Sequence, residues 1–186
     1  MSNLPEKRKV FISFHQADRD EVQTFVRRWA EQEGGFIPKV LGASDKDDFV
    51  NSNDPAYVMT RIRDKYLGDS TVTIVLLGTC THSRRYVDWE LKTSLRQGTY
   101  TPNGVLGIIL PSVGNRAHLP PRFQENWASG EAGCYARYRV APSTATEIRS
   151  WIEDAHAARV TRAHLISNST EMMKYNRQCK SCGVTH

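Results

Sequence analysis

Apolar residues follow two alternating patterns along the chain, one typical of buried strands and one of amphipathic helices. The nearly all-apolar runs at residues 72–77 and 105–110 are typical of strands covered on both faces, and residues 9–14 predict a first strand. Two weaker segments predict short strands, at residues 36–41 and, on an edge of the sheet, at residues 135–140. Helical patterns separate these strands, so the chain alternates between the two kinds of element.

Helix starts are marked by polar residues that satisfy free backbone N–H groups. Asp18 with Glu21 three residues later predicts a capping box, and Thr144 with Glu147 predicts another. Asp54 followed by proline is typical of a helix start. The predicted helices follow Asp18, Asp54, about Ser83 (residues 83–97) and Thr144. The segments between and after them predict a long polar loop at residues 42–53, an irregular segment at residues 111–133 and a loosely held polar tail after about residue 163.

Alternating strands and helices predict an α/β fold with an open parallel sheet and helices on both faces. We expect the flavodoxin-like strand order 2-1-3-4-5. In such a sheet the winding reverses between strands one and three, and ligands bind in the crevice beyond their carboxyl ends. The polar segments at residues 14–18 and 78–82 follow those two strands, so they should meet at that crevice.

Length and composition indicate a single globular domain. The chain has 186 residues, of which 39% are hydrophobic and 24% charged. Neither an apolar run of membrane-spanning length nor a secretory signal is present, which predicts a cytoplasmic location. Lysine and arginine give a formal net charge of +5 but are spread without a long basic block. A solvated surface is therefore expected, with neither nucleic acid nor membrane as a partner.

Two cysteines in the predicted tail, Cys179 and Cys182, have the CxxC spacing of metal or redox sites. A structural zinc site needs four ligands, and along the sequence only His186 lies near this pair. Redox CxxC pairs are expected at a strand–helix junction, not in a polar tail. The sequence therefore predicts free thiols and no metal site.

Several familiar active-site motifs are absent. The chain contains neither the GxGxxG dinucleotide fingerprint nor a phosphate-binding P-loop, and it lacks HExxH and GxSxG. The first strand ends in Ser13-Phe14-His15, without the acidic pair of a receiver domain. A nucleotide-binding flavodoxin-like protein of unrelated chemistry remains an alternative.

A carboxylate beside aromatic residues marks the third predicted helix, in the stretch at residues 83–91. Glu90 lies next to Trp89 and one helical turn from Tyr86. Counting 100° per residue places Glu90 on the flank of the buried face, from which a side chain can reach the crevice. Most glutamates are solvated, so spacing alone favours a surface position. The buried face itself is formed by Val87, Leu91 and Leu95.

Three segments resemble the TIR-like proteins of the bacterial Thoeris antiphage system. Residues 9–15, with Asp18 just after them, are similar to the family's opening strand ending in Ser-Phe-His. Residues 70–78 are similar to its third strand. Residues 84–90, Arg-Arg-Tyr-Val-Asp-Trp-Glu, are similar to its Arg-Arg-(Trp/Tyr)-Val-x-x-Glu helix. The resemblance extends from residue 9 to about residue 110 and implies a TIR-like domain at residues 1–165, followed by a polar tail at residues 166–186.

The resemblance implies an enzyme that cleaves NAD. Such proteins sense a phage-derived trigger and convert NAD, with loss of nicotinamide, into a cyclic ADP-ribose isomer or a related ADP-ribose signal that activates a separate Thoeris effector. Glu90 matches the catalytic glutamate, NAD is the substrate, and no cofactor is implied. The alternative is a TIR-like protein-interaction module without catalysis. The loop at residues 42–53 falls where TIR domains assemble, which implies that it gates the site or contacts another protomer of a homo-oligomer.

The other expected site residues surround the same crevice. Phe14 is a candidate to stack on a substrate ring, although a strand-end phenylalanine is more often part of the core. The arginines of the third helix lie in its first turn, where anions such as a pyrophosphate are favoured. Tyr86 and Trp89 are expected to point in opposite directions, one inward and one outward. The full set of expected substrate-binding residues is Phe14, His15, Asp18, Arg84, Arg85 and Tyr86.

Overall fold

The computed structural model describes residues 7–40, 54–128 and 133–186, in which five parallel strands form one sheet. The strands are β1 (Lys9–Ser13), β2 (Ile37–Val40), β3 (Val72–Leu77), β4 (Gly104–Ile109) and β5 (Arg137–Arg139). Their order is β2-β1-β3-β4-β5, and every neighbouring pair is parallel. The predicted α/β fold and the 2-1-3-4-5 order are both confirmed, with β5 at an edge.

Helices cover both faces of this sheet. They are α1 (Arg19–Val26), α2 (Pro55–Ile62), α3 (Arg85–Ser94), α4 (Pro121–Glu125) and α5 (Ala145–Thr161). One apolar layer packs residues of α1 and α5 against the sheet, and two others pack those of α2, α3 and α4. α1 and α2 each continue as a π-helix, over Arg27–Gln32 and Arg63–Leu67. α4 falls within the segment that the sequence predicts to be irregular.

Two of the predicted helix caps form. Asp54 accepts hydrogen bonds from the backbone N–H groups of Ala56 and Tyr57 at the start of α2. Thr144 accepts one from the backbone of Glu147 at the start of α5, while the Glu147 carboxylate accepts from the backbone of Ser143. The capping box predicted at α1 is wrong, as described with the candidate site below.

The segment at residues 166–186 packs closely against α3 and α4, so the prediction of a loosely held tail is wrong. Met173 and Cys179 are buried. The Trp89 indole N–H donates to the Met173 carbonyl at 2.8 Å, and the Arg122 guanidinium donates to the carbonyls of Thr170 and Glu171. We refer to residues 166–186 as the C-terminal segment. Whether it forms a unit separate from residues 1–165 stays a prediction.

The described helices are all too short or too polar to cross a membrane. The predicted loop at residues 42–53 lies outside the described part of the chain.

Candidate active site

Glu90 lies inside the protein, at the junction between α3 and the end of β1. Its neighbours Val87 and Leu91 pack into the apolar layer under the sheet, which fixes the rotation of the helix. The Glu90 side chain is only 5% exposed, and the Ser13 hydroxyl donates a hydrogen bond to its Oε2 at 2.5 Å. Ser13 is the last residue of β1. The carboxyl group therefore reaches the point where the winding of the sheet reverses.

The environment of Glu90 favours its neutral form. Burial raises the pKa of the Glu90 carboxyl to about 8, and the hydrogen bond from Ser13 acts in the opposite direction. A carboxyl group with such a pKa is largely protonated at neutral pH. A positive charge brought next to it would lower the pKa and favour the carboxylate.

The two residues after Ser13 point to different sides of the sheet, as expected for extended backbone. Phe14 packs against the layer formed with α1 and lines a cavity of about 510 Å³ together with Arg19, Val22 and Pro38. His15 is buried, and its ring lies 5.6 Å from that of His186. Burial, with smaller effects from Arg84 and His186, lowers the pKa of His15 to about 4, so its imidazole is neutral.

Asp18 contacts the end of β3 instead of capping α1. Its side chain makes no cap hydrogen bond in the described structure, and the Thr81 hydroxyl lies 3.5 Å from its Oδ2. A Cβ added at Gly78 would stand 2.0 Å from the same oxygen, so glycine is needed for this close approach. Glu21, the other half of the predicted box, instead accepts hydrogen bonds from Ser112.

These contacts bring together the polar segments that follow β1 and β3, as the topology predicts. Burial and the nearby Glu21 raise the pKa of Asp18, while the hydrogen bond with Thr81 lowers it. Thr81 also accepts a hydrogen bond from the Gly78 backbone at 2.9 Å. Polar residues therefore line the edge of the sheet where the carboxyl ends of β1 and β3 meet, which we call the carboxyl edge.

The two arginines at the start of α3 have different environments. Arg84 is half-buried, and within the described structure its Nη1 is enclosed without a hydrogen-bond partner. Burial lowers the pKa of Arg84. Arg85 instead stacks on Tyr86 and Trp89, with its guanidinium carbon 5.0 and 5.1 Å from the ring centroids, and donates to the Lys174 carbonyl. Arg85 therefore binds the C-terminal segment.

Tyr86 and Trp89 pack on the same side of α3, contrary to the prediction that they diverge. Their ring centroids are 5.2 Å apart in an edge-to-face arrangement. Both contact the apolar cluster that includes Phe11, Val58 and Leu67. The two rings stay on one flank because the Arg85 guanidinium stacks on both of them in cation–π contacts.

The C-terminal segment also reaches the carboxyl edge of the sheet. The Arg177 backbone N–H donates to the Ser83 carbonyl at 2.8 Å, and that of Lys180 donates to His82 Nε2 at 3.0 Å. Three side chains able to bind a metal, Cys80, Cys182 and His186, lie together at this edge. The sequence did not predict that the C-terminal segment covers the carboxyl edge of the sheet, because the segment has a polar composition and no periodic apolar pattern.

Two comparisons with known proteins identify the family of this chain and one relative. The family model described as "Thoeris protein ThsB, TIR-like domain" matches residues 11–115. A curated relative from Bacillus cereus (strain MSX-D12), named "Putative cyclic ADP-D-ribose synthase ThsB1", is 31% identical over 103 residues, which are 54% of this chain and 50% of the relative. The chain thus spans about half the length of that relative. Residues 11–115, a range that contains Ser13, Arg84 and Glu90, make up more than half of the chain. The chain therefore belongs to the ThsB family of TIR-like proteins of the Thoeris system.

Proposed function

We propose that this protein cleaves NAD at the bond between nicotinamide and ribose and forms a cyclic ADP-ribose isomer or a related ADP-ribose signal. The observation that carries the proposal is the position of Glu90, a buried carboxyl group at the end of β1 with Ser13 as its hydrogen-bond partner. Family membership and the name of the Bacillus cereus relative support the same chemistry.

The proposed reaction suits a single acidic side chain. When the glycosidic bond breaks, its electron pair leaves with nicotinamide and the ribosyl C1′ gains oxocarbenium character. A carboxylate in a site with little water stabilises that positive charge strongly and can accept hydrogen bonds from ribose hydroxyls. Nicotinamide leaves as a neutral molecule, so no general acid is needed. A new bond from C1′ to the nucleotide, or to water, completes the reaction with loss of one proton.

The raised pKa of Glu90 fits substrate-dependent ionisation. In the free protein, burial keeps the carboxyl group mostly neutral near pH 7. The nicotinamide ring of NAD is cationic, so its arrival favours loss of the proton from Glu90. The carboxylate is then produced where charge develops during the reaction.

The neighbouring residues have proposed roles in binding. The Arg84 guanidinium, with its enclosed and unpartnered Nη1, suits a phosphate oxygen of the pyrophosphate. The neutral His15 imidazole can hydrogen-bond a ribose hydroxyl. Asp18 is proposed to bind a ribose. Phe14 is proposed to stack on a base of the nucleotide, and it would do so from the α1 side of the sheet, where it lines a cavity that Glu90 does not reach. Arg85 donates to the C-terminal segment and stacks on Tyr86, so we assign both residues to positioning α3.

The proposed product acts as a cytosolic signal that activates a Thoeris effector after phage infection. NAD can reach Glu90 only if the surrounding structure moves, because the carboxyl group is almost completely enclosed. We propose that a phage-derived trigger produces this change.

The test compares two glutamate variants of the full chain. Wild type, Glu90→Gln and Glu33→Gln, the last an exposed matched control, are incubated with NAD, with and without lysate of phage-infected cells. Mass spectrometry measures nicotinamide and ADP-ribose products. We expect product from wild type and Glu33→Gln, and a loss of at least about 100-fold in Glu90→Gln.

Full product formation by a folded Glu90→Gln variant would exclude the proposed role of Glu90. If wild type makes no product in either condition but still protects cells from phage, the interaction-module alternative is correct.

A further inference from the structure

Four side chains with metal-binding chemistry converge at the carboxyl edge of the sheet. Cys80 follows β3, whereas Cys179, Cys182 and His186 belong to the C-terminal segment. The sulfur atoms of Cys80 and Cys182 are 3.5 Å apart, and the Cys182 sulfur is 3.3 Å from His186 Nε2. Ligand atoms of these three residues all lie within 4.8 Å of one another. Cys179 is adjacent to Cys80 and Cys182 but stands outside this group of three, and its sulfur lies 3.6 Å from the Thr79 carbonyl.

These separations match the edges of a metal tetrahedron. Ligand atoms that are 2.0–2.3 Å from a tetrahedral zinc ion lie about 3.3–3.8 Å from one another. Two sulfur atoms joined in a disulfide would be about 2.05 Å apart. The Cys80–Cys182 distance of 3.5 Å therefore corresponds to two ligands of one ion, not to a disulfide.

The backbone around Cys179 has the form of a tight turn that presents its sulfur atom. The Gly183 N–H donates to the Cys179 carbonyl at 2.8 Å, and the Cys179 N–H donates to the Val184 carbonyl at 2.9 Å. Gly183 has a φ of 74°, which a residue with a side chain rarely adopts. Backbone N–H groups of Cys182 and Ser181 are directed at the Cys179 sulfur. The turn therefore holds Cys179 and Cys182 close together along the chain.

We propose that Cys80, Cys179, Cys182 and His186 bind one zinc ion. Three thiolates and an imidazole are a donor set typical of structural zinc. Four protein ligands leave no open coordination position, so the ion has a structural role and takes no part in cleaving NAD. The proposal does not depend on the proposed function.

The proposed zinc ion ties the C-terminal segment to the loop that leads into α3. Cys80 lies about one hundred residues before the other ligands, so a single ion crosslinks distant parts of the chain. The ring of His186 also contacts that of His15 at the end of β1. Binding the metal therefore fixes the covering of the carboxyl edge beside the candidate active site.

Metal content of the purified chain tests the proposal. The full chain is prepared without chelator under reducing conditions, and zinc is measured by inductively coupled plasma mass spectrometry. We expect about one zinc ion per chain in wild type, and at least about tenfold less bound zinc in Cys182→Ser and His186→Ala. Both positions are exposed, so the substitutions spare the core. Cys134→Ser is the matched control, because Cys134 is buried outside the cluster.

Cobalt provides a second readout that does not depend on the metal acquired during expression. Co²⁺ added to metal-free, reduced wild type should give thiolate-to-cobalt charge transfer and the intense visible bands of tetrahedral coordination. Cys134→Ser should behave as wild type, and Cys182→Ser should lose these bands. Absence of both zinc and the cobalt bands in folded, reduced wild type would overturn the proposal. So would equal losses in Cys134→Ser and Cys182→Ser.

Discussion

Helix α3 carries two buried carboxyl groups, only two residues apart, in contrasting surroundings. Asp88 is 3% exposed and accepts hydrogen bonds from Arg122 Nε at 2.9 Å, from Arg122 Nη2 at 3.3 Å and from the Met173 backbone at 2.8 Å. Glu90 is 5% exposed and accepts one from Ser13. Burial alone therefore does not identify a reactive group. The number and charge of its partners separate a structural acid from a candidate catalytic one.

The arginines near these acids show the same contrast. Arg122 is 1% exposed and, besides Asp88, donates to the Asn168 side chain and to two carbonyls of the C-terminal segment. Arg84 keeps an enclosed guanidinium nitrogen without a partner in the described structure. Unsatisfied buried polar groups cost stability, and such groups concentrate where ligands bind. Near Glu90, the Arg84 nitrogen is thus free to bind a ligand, whereas Asp88 and Arg122 near the other flank are already paired with each other.

The largest expected effect comes from removing the partner of Asp88. Arg122→Met leaves a buried carboxylate without its cation and frees the C-terminal segment, so the free energy of unfolding should fall by about 3–5 kcal/mol. Urea denaturation followed by circular dichroism measures it. Arg159→Met is the control, since Arg159 forms no ion pair with Asp88 and donates to a backbone carbonyl elsewhere. A decrease in the free energy of unfolding of less than about 1 kcal/mol would mean that the Asp88–Arg122 ion pair does not stabilise the packing of the C-terminal segment on α3.

A pH-dependent effect on stability should come from the raised pKa of Glu90. The pKa of Glu90 is about 8 in the folded protein and 4.5 in its ordinary state, so the folded state binds more protons between these values. The contribution of Glu90 to stability is complete below about pH 4.5 and is lost as the pH rises through about 8. Each unit by which the pKa of Glu90 differs between the folded and unfolded states changes the free energy of unfolding by at most about 1.4 kcal/mol.

Glu90→Gln removes this titration. The melting temperature of the variant, relative to wild type, should therefore increase as the pH is raised from 5 to 9. The melting temperature of Glu33→Gln, a substitution at an exposed position, should differ from that of wild type by the same amount at every pH in this range. Parallel curves for Glu90→Gln as well would show that Glu90 is ionised in the folded protein near neutral pH.

The sequence was sufficient to predict the sheet and the flank of α3 that carries Glu90, but spacing alone favoured a solvated side chain, and only the family resemblance implied a place in the site. Continuous apolar runs mark strands buried on both faces, and the alternation with helices limits the topology to a few choices. The buried face of α3 then determines which flank carries Glu90. These inferences depend on local periodicity, which a single sequence displays directly.

Contacts between distant segments could not be predicted in this way. Residues 166–186 have no periodic apolar pattern and are held by hydrogen bonds to Arg122 and Trp89. Asp18 has the pattern of a cap, but the absence of a side chain at Gly78 offers it a closer contact at β3. The proximity of Cys80 to Cys182 likewise depends on the path of the whole chain.

Ser13→Ala should change the ionisation of Glu90 without changing the fold. The Ser13 hydroxyl favours the carboxylate, so its removal raises the pKa of Glu90 further. If the carboxylate is the reactive form, NAD cleavage rises with pH through this pKa. The rising limb of kcat/KM against pH should therefore move upward by about one unit. Thr24→Ala, whose hydroxyl donates to a backbone carbonyl on α1, is the control. If the rising limb of kcat/KM does not move, the pH dependence arises from a group other than Glu90.

The smallest expected effect distinguishes the two adjacent arginines of α3. In a Glu90→Gln background, which allows binding without turnover, Arg84→Gln should weaken NAD binding about fivefold, or about 1 kcal/mol, because a phosphate oxygen loses one donor. Arg85→Gln should leave NAD binding unchanged, since its guanidinium stacks on Tyr86 and Trp89 and bonds to Lys174. Calorimetry measures both affinities. Equal losses would mean that the enclosed nitrogen of Arg84 does not bind the nucleotide, and that α3 responds to any change in its first turn.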